Sequence, residues 1–355
     1  MTKHVGPSDP AETTGAAVAT VAVVGVLGAI IVLLAIFRPS GGDAAPPQQV
    51  ADVAVAPTST SPTQSVRTGR QRIHAAHTVR PQRVGHVGKE LRRKTQRMAE
   101  QKPTTFRVGT FNVLGASHTK PGGNKHGWAP AATRMAWSTS ILEANDVDVV
   151  GFQEFESPQV NTFLARTSGR WGVYPGNTGD PRNSIAWRTD TWQLVAGATT
   201  PIPYFHGQTV QMPYVRLHNL ESGQDVYFIN VHNPASTGRW GNNERWRDVA
   251  TGREIALINR LNAQKFPVVL TGDFNERDEI FCKITGSGAM VAAAGGEAGD
   301  GSCIPPAGMG VDWIFGSSVI QFSDFASQRA GVVGRATDHP IVVADATIPP
   351  LDSGN

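Results

Sequence analysis

The sequence contains only two cysteines among 355 residues, and none of its ten histidines lies four positions from another. A zinc site built on a cysteine pair or on a His-x-x-x-His helix is therefore disfavoured. The chain has no Gly-x-x-x-x-Gly-Lys-Ser/Thr loop for a nucleoside triphosphate and no Gly-x-Ser-x-Gly elbow of a serine hydrolase. These absences argue against zinc enzymes of these types, P-loop nucleotide hydrolases and serine hydrolases.

One long hydrophobic run is present, at residues 15–37, with 23 residues and no charge. A helix of this length spans about 34 Å, which is enough to cross a bilayer. We predict a transmembrane or signal-anchor helix here, after a short N-terminal tail at residues 1–14. A cleaved secretion signal and a buried core helix are the alternatives.

The net charge of +3 is unevenly distributed along the chain. Residues 66–102 hold eleven Lys and Arg against two acidic residues, whereas residues 103–355 hold 19 basic and 23 acidic residues. We predict that residues 38–102 are a disordered linker, first rich in Pro, Ala and Ser and then basic. The basic part is expected to contact anionic lipid or a cell-surface polymer.

Residues 103–348 are long enough for one large core and are expected to form a single folded domain, followed by a C-terminal tail at 349–355. Apolar patterns predict helices at 130–144, 158–165 and 239–264. Strands are predicted at 106–114, 148–154, 171–174, 184–187, 191–195, 214–220, 225–231, 268–270 and 311–315, and from 338 onward.

Polar side chains follow these apolar runs where the strands end. The set is Asn112, Glu154, His232, Asn233, Asp273, Asn275, Asp312, Asp338 and His339. Each alone has an ordinary interpretation as a turn residue, a solvated acid or a cap. The same arrangement six times in one domain is not expected by chance. Glu154, with Asn112 and Asp338, offers the oxygen ligands that Mg²⁺ prefers.

Six segments, in this order along residues 105–346, resemble the endonuclease/exonuclease/phosphatase superfamily with the deoxyribonuclease-I-like fold. They are Thr110-Phe111-Asn112-Val113, Gly151-Phe152-Gln153-Glu154, Asn230-Val231-His232-Asn233, Gly272-Asp273-Phe274-Asn275, Val311-Asp312-Trp313-Ile314 and Thr337-Asp338-His339-Pro340. The resemblance implies an α/β fold, a four-layer sandwich of two packed mixed β-sheets flanked by helices. It also implies metal-dependent cleavage of phosphate esters by a monomer.

The resemblance implies a role for each strand-end residue. Glu154 is expected to be the principal metal ligand, assisted by Asn112 and Asp338, with Mg²⁺ as the cofactor and Mn²⁺ or Ca²⁺ as alternatives. Asp273 would orient or deprotonate the attacking water, and Asn275 would bind the phosphate. His232 and His339, the latter held by Asp312, would serve as phosphate-binding and acid/base groups. The sequence departs from the family at Asn183, which stands where related nucleases place a glutamate partner for His232.

Substrate choice depends on loops, and residues 115–130 and 234–248 are the long ones. We predict that Asn233, Arg216 and Arg239 bind the substrate. Aromatic residues interleaved with Arg in the second loop would suit bases and phosphates. A nuclease is therefore the first expectation, a sphingomyelinase-like or inositol-lipid phosphoester hydrolase the second, and a catalytically silent cell-surface binding module the third.

The two cysteines, Cys282 and Cys303, bracket a loop rich in Gly, Ala and Ser. Secreted members of the resembled family carry a disulfide at a similar place, so we predict that these cysteines are paired, with free buried thiols as the alternative. Disulfides persist in oxidising compartments. Together with the hydrophobic run, this favours a single-pass cell-membrane protein with an extracellular catalytic domain, or a secreted one.

Overall fold

The computed structural model describes residues 102–299 and 301–350. The predicted tail at 1–14, the predicted anchor helix at 15–37 and residues 38–101 of the predicted linker lie outside this part of the chain. None of the helices in the described ranges combines the length and the hydropathy that crossing a bilayer requires.

The first half of the described chain contains seven strands and three α-helices. Its strands are β1 (Thr104–Asn112), β2 (Val149–Gln153), β3 (Trp171–Tyr174), β4 (Asn183–Arg188), β5 (Trp192–Pro203), β6 (Thr209–Asn219) and β7 (Asp225–His232). Its helices are α1 (Ala116–Thr119), α2 (Ala131–Ala144) and α3 (Ser157–Thr167), with short 3₁₀ helices at Gly176–Thr178 and Phe205–Gly207.

The second half repeats the alternation of helix and strand. Its helices are α4 (Glu244–Asn262), α5 (Asp278–Thr285) and α6 (Val333–Ala336). Its strands are β8 (Val268–Asp273), β9 (Met290–Ala292), β10 (Glu297–Gly299), β11 (Ser302–Ile304), β12 (Asp312–Ser317), β13 (Gln321–Gln328) and β14 (Ile341–Ile348). The helix predicted at 239–264 begins later, at Glu244, because the buried Asn243 carboxamide donates to the carbonyls of Ala235 and Trp240 and closes a loop there.

Two six-stranded mixed sheets organise these elements. Sheet 1 has the order β13-β14-β1-β2-β4-β3, and sheet 2 has the order β5-β6-β7-β8-β12-β9. Each sheet is centred on one parallel pair, β1 with β2 and β7 with β8, while the neighbouring strands run antiparallel. Parallel strands need a crossover connection, which α2 supplies in sheet 1 and α4 in sheet 2.

Three hydrophobic clusters separate four layers of structure. Phe106 of sheet 1 packs edge-on against Phe228 and Trp192 of sheet 2, in the core between the sheets. A second cluster joins sheet 1 to α2, α3 and α6, and a third joins sheet 2 to α4 and α5. The mixed α/β architecture with helices outside two packed sheets therefore agrees with the prediction.

Strand register brings the polar strand ends to one edge of the sandwich. Asn112 is paired with Gln153 in the parallel pair of sheet 1, and His232 with Asp273 in that of sheet 2. Asp312 begins β12 opposite Asp273. The predicted disulfide between Cys282 in α5 and Cys303 in β11 is confirmed, with a Cα separation of 5.7 Å.

Candidate active site

Asp273 is the centre of the cluster at this edge. Its Oδ2 accepts a hydrogen bond from Asn112 Nδ2 at 3.1 Å and lies 3.5 Å from His232 Nε2 and 3.7 Å from His339 Nε2. Its Oδ1 accepts from the main-chain nitrogen of Asn275 at 3.1 Å. Since Asn112 belongs to sheet 1 and Asp273 to sheet 2, the cluster joins the two halves of the sandwich.

His339 is held as a cation by carboxylates. Its Nδ1 lies 3.0 Å and 3.1 Å from the two oxygens of Asp312, which is 1% exposed. Burial lowers the pKa of His339, but Asp312 and the charge of Asp273 outweigh that effect and raise it to about 10. His339 is therefore an imidazolium at neutral pH, with its Nδ1–H donated to Asp312.

Asp273, Asp312 and His339 also form a group whose ligand-type atoms lie within 4.8 Å of one another. Such a group resembles a metal site in geometry alone. A protonated imidazole has no free lone pair for a metal ion. These three residues form a row of alternating charge, in which His339 Nδ1 donates to Asp312 and His339 Nε2 lies 3.7 Å from Asp273 Oδ2.

Glu154 is the carboxylate that sheet 1 contributes. Its Oε1 accepts from Asn112 Nδ2 at 3.0 Å, its Oε2 accepts from the Gly115 nitrogen at 2.8 Å, and His118 Nε2 lies 3.3 Å away. Burial raises its pKa, but the charge of His232 and these hydrogen bonds lower it below the usual range. Its backbone adopts a φ of 57°, a left-handed conformation that is uncommon for glutamate and typical of functional sites.

Asp338 lies beside the cluster and binds a lysine from the 115–130 loop. Lys125 Nζ donates to Asp338 Oδ2 at 2.8 Å. Burial raises the pKa of Asp338, but this ammonium group more than offsets the effect and holds it below its usual range. Asp338 and, to a smaller extent, Glu154 raise the pKa of Lys125, so both acids predicted to hold the metal act on this ammonium group.

The donor set fits a hard divalent cation. Glu154 and Asp338 are carboxylates whose pKa values are lowered, so both are ionised at neutral pH. The described cysteines are both in the disulfide and offer no thiolate. Asn112 places its nitrogen toward Glu154 and Asp273, while its Oδ1 accepts from the Leu114 nitrogen. In this arrangement Asn112 is a hydrogen-bond donor between acids, and its predicted role as a metal ligand stays a prediction.

His232 has surroundings that the sequence did not indicate. The ring of Tyr204 packs edge-on against the His232 ring, with centroids 5.6 Å apart. Burial and the charges of Glu154 and Asp273 raise the pKa of Tyr204, which keeps its phenol protonated. Asn183 begins β4, is 5% exposed, and its Oδ1 has no hydrogen-bond partner in the described chain. The acid facing His232 is thus Asp273, not the residue at position 183.

Two of the three predicted substrate-binding residues lie away from the cluster. Asn233 is 0% exposed, so the structure places it behind the site, not at a surface that a substrate would contact. Arg216 pairs with Tyr227 near the start of β7, the end opposite His232, and its Nε lies 3.5 Å from Asp225 Oδ2. Register thus places Arg216 at the far end of sheet 2, and burial turns the Asn233 side chain into the interior, although its main chain stays beside Asp273 and Asn275.

The third residue, Arg239, belongs to an aromatic rim. Phe205 stacks on Trp240 with ring centroids 4.8 Å apart and an angle of 10° between the planes. The Arg239 guanidinium lies 4.9 Å from the centre of the Trp240 ring. Phe205 follows Tyr204, which contacts His232, so this rim adjoins the polar cluster.

A buried arginine supports the loops around Glu154. Arg134 in α2 is 0% exposed, and its guanidinium donates to the carbonyls of Val113 at 2.8 Å and Ala336 at 3.0 Å and to the Thr119 hydroxyl at 3.0 Å. Its contacts tie the end of β1 to α6, which precedes His339. No local pattern in the sequence indicates this role, because an arginine in a helix is ordinarily exposed.

This fold and site agree with a known family. The Endonuclease/Exonuclease/phosphatase family matches residues 109–339, so the chain belongs to that family, whose fold is that of phosphoesterases. Among curated proteins, none matches the chain.

Solved structures show the same fold at low sequence identity. An endonuclease/exonuclease/phosphatase family protein from Bacteroides thetaiotaomicron is 16% identical, with a TM-score of 0.54 over 70% of this chain and 99% of that one. The human Nocturnin catalytic domain with bound sulfate is 18% identical, with a TM-score of 0.54 over 70% and 98%. TDP2 from D. rerio, complexed with a single-strand DNA product, is 15% identical, with a TM-score of 0.51 over 68% and 99%.

Proposed function

We propose that the protein is a divalent-metal-dependent phosphodiesterase whose first expected substrate is nucleic acid. The observation that carries this proposal is the hydrogen-bonded cluster in which Asn112 joins Glu154 of one sheet to Asp273 of the other. Asp273 is 1% exposed and faces two imidazoles, an arrangement that packing alone does not require.

Each residue of the cluster suits one part of phosphate-ester hydrolysis. Asp273 orients the attacking water and accepts its proton. His339, an imidazolium held by Asp312, binds an anionic phosphate oxygen, and Asn275 supports the same phosphate. His232 donates a proton to the oxygen that leaves when the P–O bond breaks.

A bound Mg²⁺, held by Glu154 and Asp338, would neutralise phosphate charge and polarise the phosphorus centre. Lys125, which already contacts Asp338, would lie against the same phosphate as a second positive group. Mn²⁺ and Ca²⁺ remain the alternative ions, because the carboxylate set suits all three.

The aromatic rim supports the choice of nucleic acid. A Phe205–Trp240 stack with Arg239 beside it provides ring faces for bases and a cation for a neighbouring phosphate. The single-strand DNA product in the structurally similar TDP2 agrees with this choice. A mannosyl-6-phosphatase from Bacteroides thetaiotaomicron with the same fold keeps a small phosphoester as the second candidate.

We also propose that residues 15–37 anchor the protein in the cell membrane as a single pass, with the catalytic domain extracellular. The uncharged 23-residue run supports the anchor, and the Cys282–Cys303 disulfide supports an oxidising compartment. Protease treatment of intact cells of the native host tests this proposal. Loss of the catalytic domain from the cell surface is expected, and a domain protected until the cells are lysed would contradict it.

The test of activity is hydrolysis by the purified full chain of single- and double-stranded DNA, RNA, sphingomyelin, inositol phosphates and a small aryl phosphodiester. Activity is expected on nucleic acid and on the small diester, to require Mg²⁺ or Mn²⁺, and to disappear with EDTA. Hydrolysis of sphingomyelin or an inositol phosphate alone would favour the second candidate. Failure to hydrolyse any of these substrates with any of these ions would favour the third expectation, a catalytically silent cell-surface binding module.

A further inference from the structure

Helix α4 carries one acidic side chain on its buried face. Glu254 is 0% exposed, and neither of its carboxyl oxygens has a hydrogen-bond partner among the described residues. An ionised carboxylate in such a place is strongly disfavoured. Burial therefore raises the pKa of Glu254 to about 8, and at neutral pH the group is mostly an uncharged acid with one proton to donate.

The group that faces Glu254 is the side chain of Asn233. Asn233 is also 0% exposed, and its Nδ2 and Oδ1 have no partner in the described part of the chain. Its carboxamide is close enough to lower the pKa of Glu254 in part, although the pair does not meet hydrogen-bond geometry. Two buried polar groups with unused hydrogen-bonding capacity therefore face each other behind the site.

The main chain of Asn233 is part of the catalytic edge. Asn275 Nδ2 donates to the Asn233 carbonyl at 2.8 Å, and the Asn233 nitrogen donates to the Asp273 carbonyl at 2.8 Å. The residue before Asn233 is His232, whose ring faces Asp273. A rotation of the Asn233 peptide would therefore displace both His232 and Asn275.

We propose that Glu254 is a positioning residue for the phosphoesterase site, because its buried carboxyl group holds the Asn233 carboxamide in place and so fixes the peptide that carries His232 and receives Asn275. This inference rests on the proposed function. It assigns to α4 a role in orienting catalytic groups that α4 itself does not contact.

The charged groups around Glu254 are already paired with one another. Glu276, which follows β8, lies 3.2 Å from Arg247 Nε and 3.1 Å from Lys283 Nζ. Glu276 raises and Lys283 lowers the pKa of Glu254, and both effects are smaller than that of burial. No salt bridge joins Glu254 to a described basic residue, so the Asn233 carboxamide is the polar group left to compensate the buried carboxyl.

The experiment compares Glu254→Gln, Glu254→Leu and a control, Ile258→Val, in the full chain with a small aryl phosphodiester and Mg²⁺. Ile258 is a core residue one turn further along α4. Glu254→Leu is expected to lower kcat at least tenfold while KM changes less than twofold. Glu254→Gln, which keeps an uncharged hydrogen-bond donor, is expected to retain kcat at pH 7, and Ile258→Val should match the wild type.

The pH dependence separates positioning from packing. Between about pH 4.5, where free glutamate ionises, and pH 8, the folded protein keeps a proton that the unfolded chain loses, so wild-type stability falls across this window. The Tm of Glu254→Gln should therefore exceed that of the wild type by a margin that grows from pH 5 to pH 8. The decline in wild-type kcat between pH 7.5 and 9 should be weaker in Glu254→Gln.

Unchanged kcat in Glu254→Leu, or a Tm margin that is flat with pH, would overturn the inference. If the wild-type protein hydrolyses no phosphoester, the proposed function fails, and a measurement that needs no activity tests the positioning role of Glu254. That measurement is the His232 ring signal in NMR spectra, which is assigned by its loss in His232→Gln. That signal should shift in Glu254→Leu and not in Ile258→Val. The same signal in both variants would overturn it.

Discussion

The two crossover units of the sandwich share a topology but differ in what their helices bury. In β1-α2-β2 the buried ionisable group is Arg134, whose guanidinium donates to main-chain carbonyls and to the Thr119 hydroxyl. In β7-α4-β8 it is Glu254, an acid that has no hydrogen-bond partner among the described residues. One helix therefore holds the loops around the site through a guanidinium whose donors are all used. The other keeps an unpaired acid behind residues that carry the chemistry.

The two units also divide the catalytic groups between them. The first ends in Asn112 and Glu154, a donor and an ionised acid suited to a metal ion. The second ends in His232 and Asp273, suited to moving protons. Neither sheet therefore contains the whole site, and the site depends on the contact between the two sheets.

The largest effect on activity is expected from two single substitutions, each of which neutralises the acid of one unit. Glu154→Gln and Asp273→Asn should each lower kcat about 10³-fold on the small diester, because each removes a charge that the reaction requires. Each variant should still unfold cooperatively, as measured by circular dichroism. Near-normal activity in either variant would mean that its unit does not contribute to the reaction.

Arg134→Met tests how much the buried guanidinium of α2 contributes to stability, for comparison with Glu254 in α4. It leaves the carbonyls of Val113 and Ala336 without their donor, which should cost about 3–4 kcal/mol in the free energy of unfolding. Glu254→Leu, the matched change in α4, removes an unpaired acid and should leave stability equal or higher. Urea denaturation at pH 7 measures both. Equal losses in the two variants would show that the helices do not differ as described.

Gly151→Ala tests the contact between the sheets. A Cβ at this position in β2 would overlap Thr271 Oγ1 and Asn230 Oδ1 of sheet 2, so a loss of about 2–3 kcal/mol is expected. Gly252 is an exposed helical glycine in α4 with open space around it. Gly252→Ala should therefore raise stability by about 0.5–1 kcal/mol. A tolerated Gly151→Ala would mean that the sheets separate easily beneath the site.

The pH dependence of stability tests the cation held in the second unit. The pKa of His339 is raised, so its stabilising contribution is complete below about pH 6.5, the unfolded value, and is lost as pH rises through about 10. The stability difference between the wild type and His339→Gln should shrink over that window. His126→Gln, at an exposed loop position, is the control. A difference that does not change with pH would contradict the ion pair with Asp312.

The sequence predicted the strand ends well because an apolar run followed by a polar residue is a local pattern. It located Asn112, Glu154, Asp273, Asp312 and His339, all of which the structure brings to one edge. Asn233 was placed at the site because it follows His232. Adjacent residues of an extended chain point to opposite sides, so only one of the two faces the substrate edge.

Other features depend on tertiary structure and had no local signal. Tyr204 lies in the connection between β5 and β6, which brings its ring against His232. Lys125 lies in the 115–130 loop and contacts Asp338, which is 213 positions away in the sequence. The burial of Glu254 depends on which face of α4 packs on sheet 2. The register of the β6–β7 hairpin decides that Arg216 lies at the far end. None of these is encoded in a short segment.

The smallest effect expected concerns two arginines, Arg239 in the loop after β7 and Arg216 near the other end of sheet 2. Arg239→Ala should raise KM for single-stranded DNA about 3–5-fold with little change in kcat, because it removes a cation beside the Trp240 ring. On the small diester, which does not extend to the rim, the same variant should match the wild type. Arg216→Ala is the matched control, since its guanidinium contacts Asp225 and the Phe266 ring at the opposite end. If both variants raise KM equally, the effect is one of overall charge, and the aromatic rim does not select the substrate.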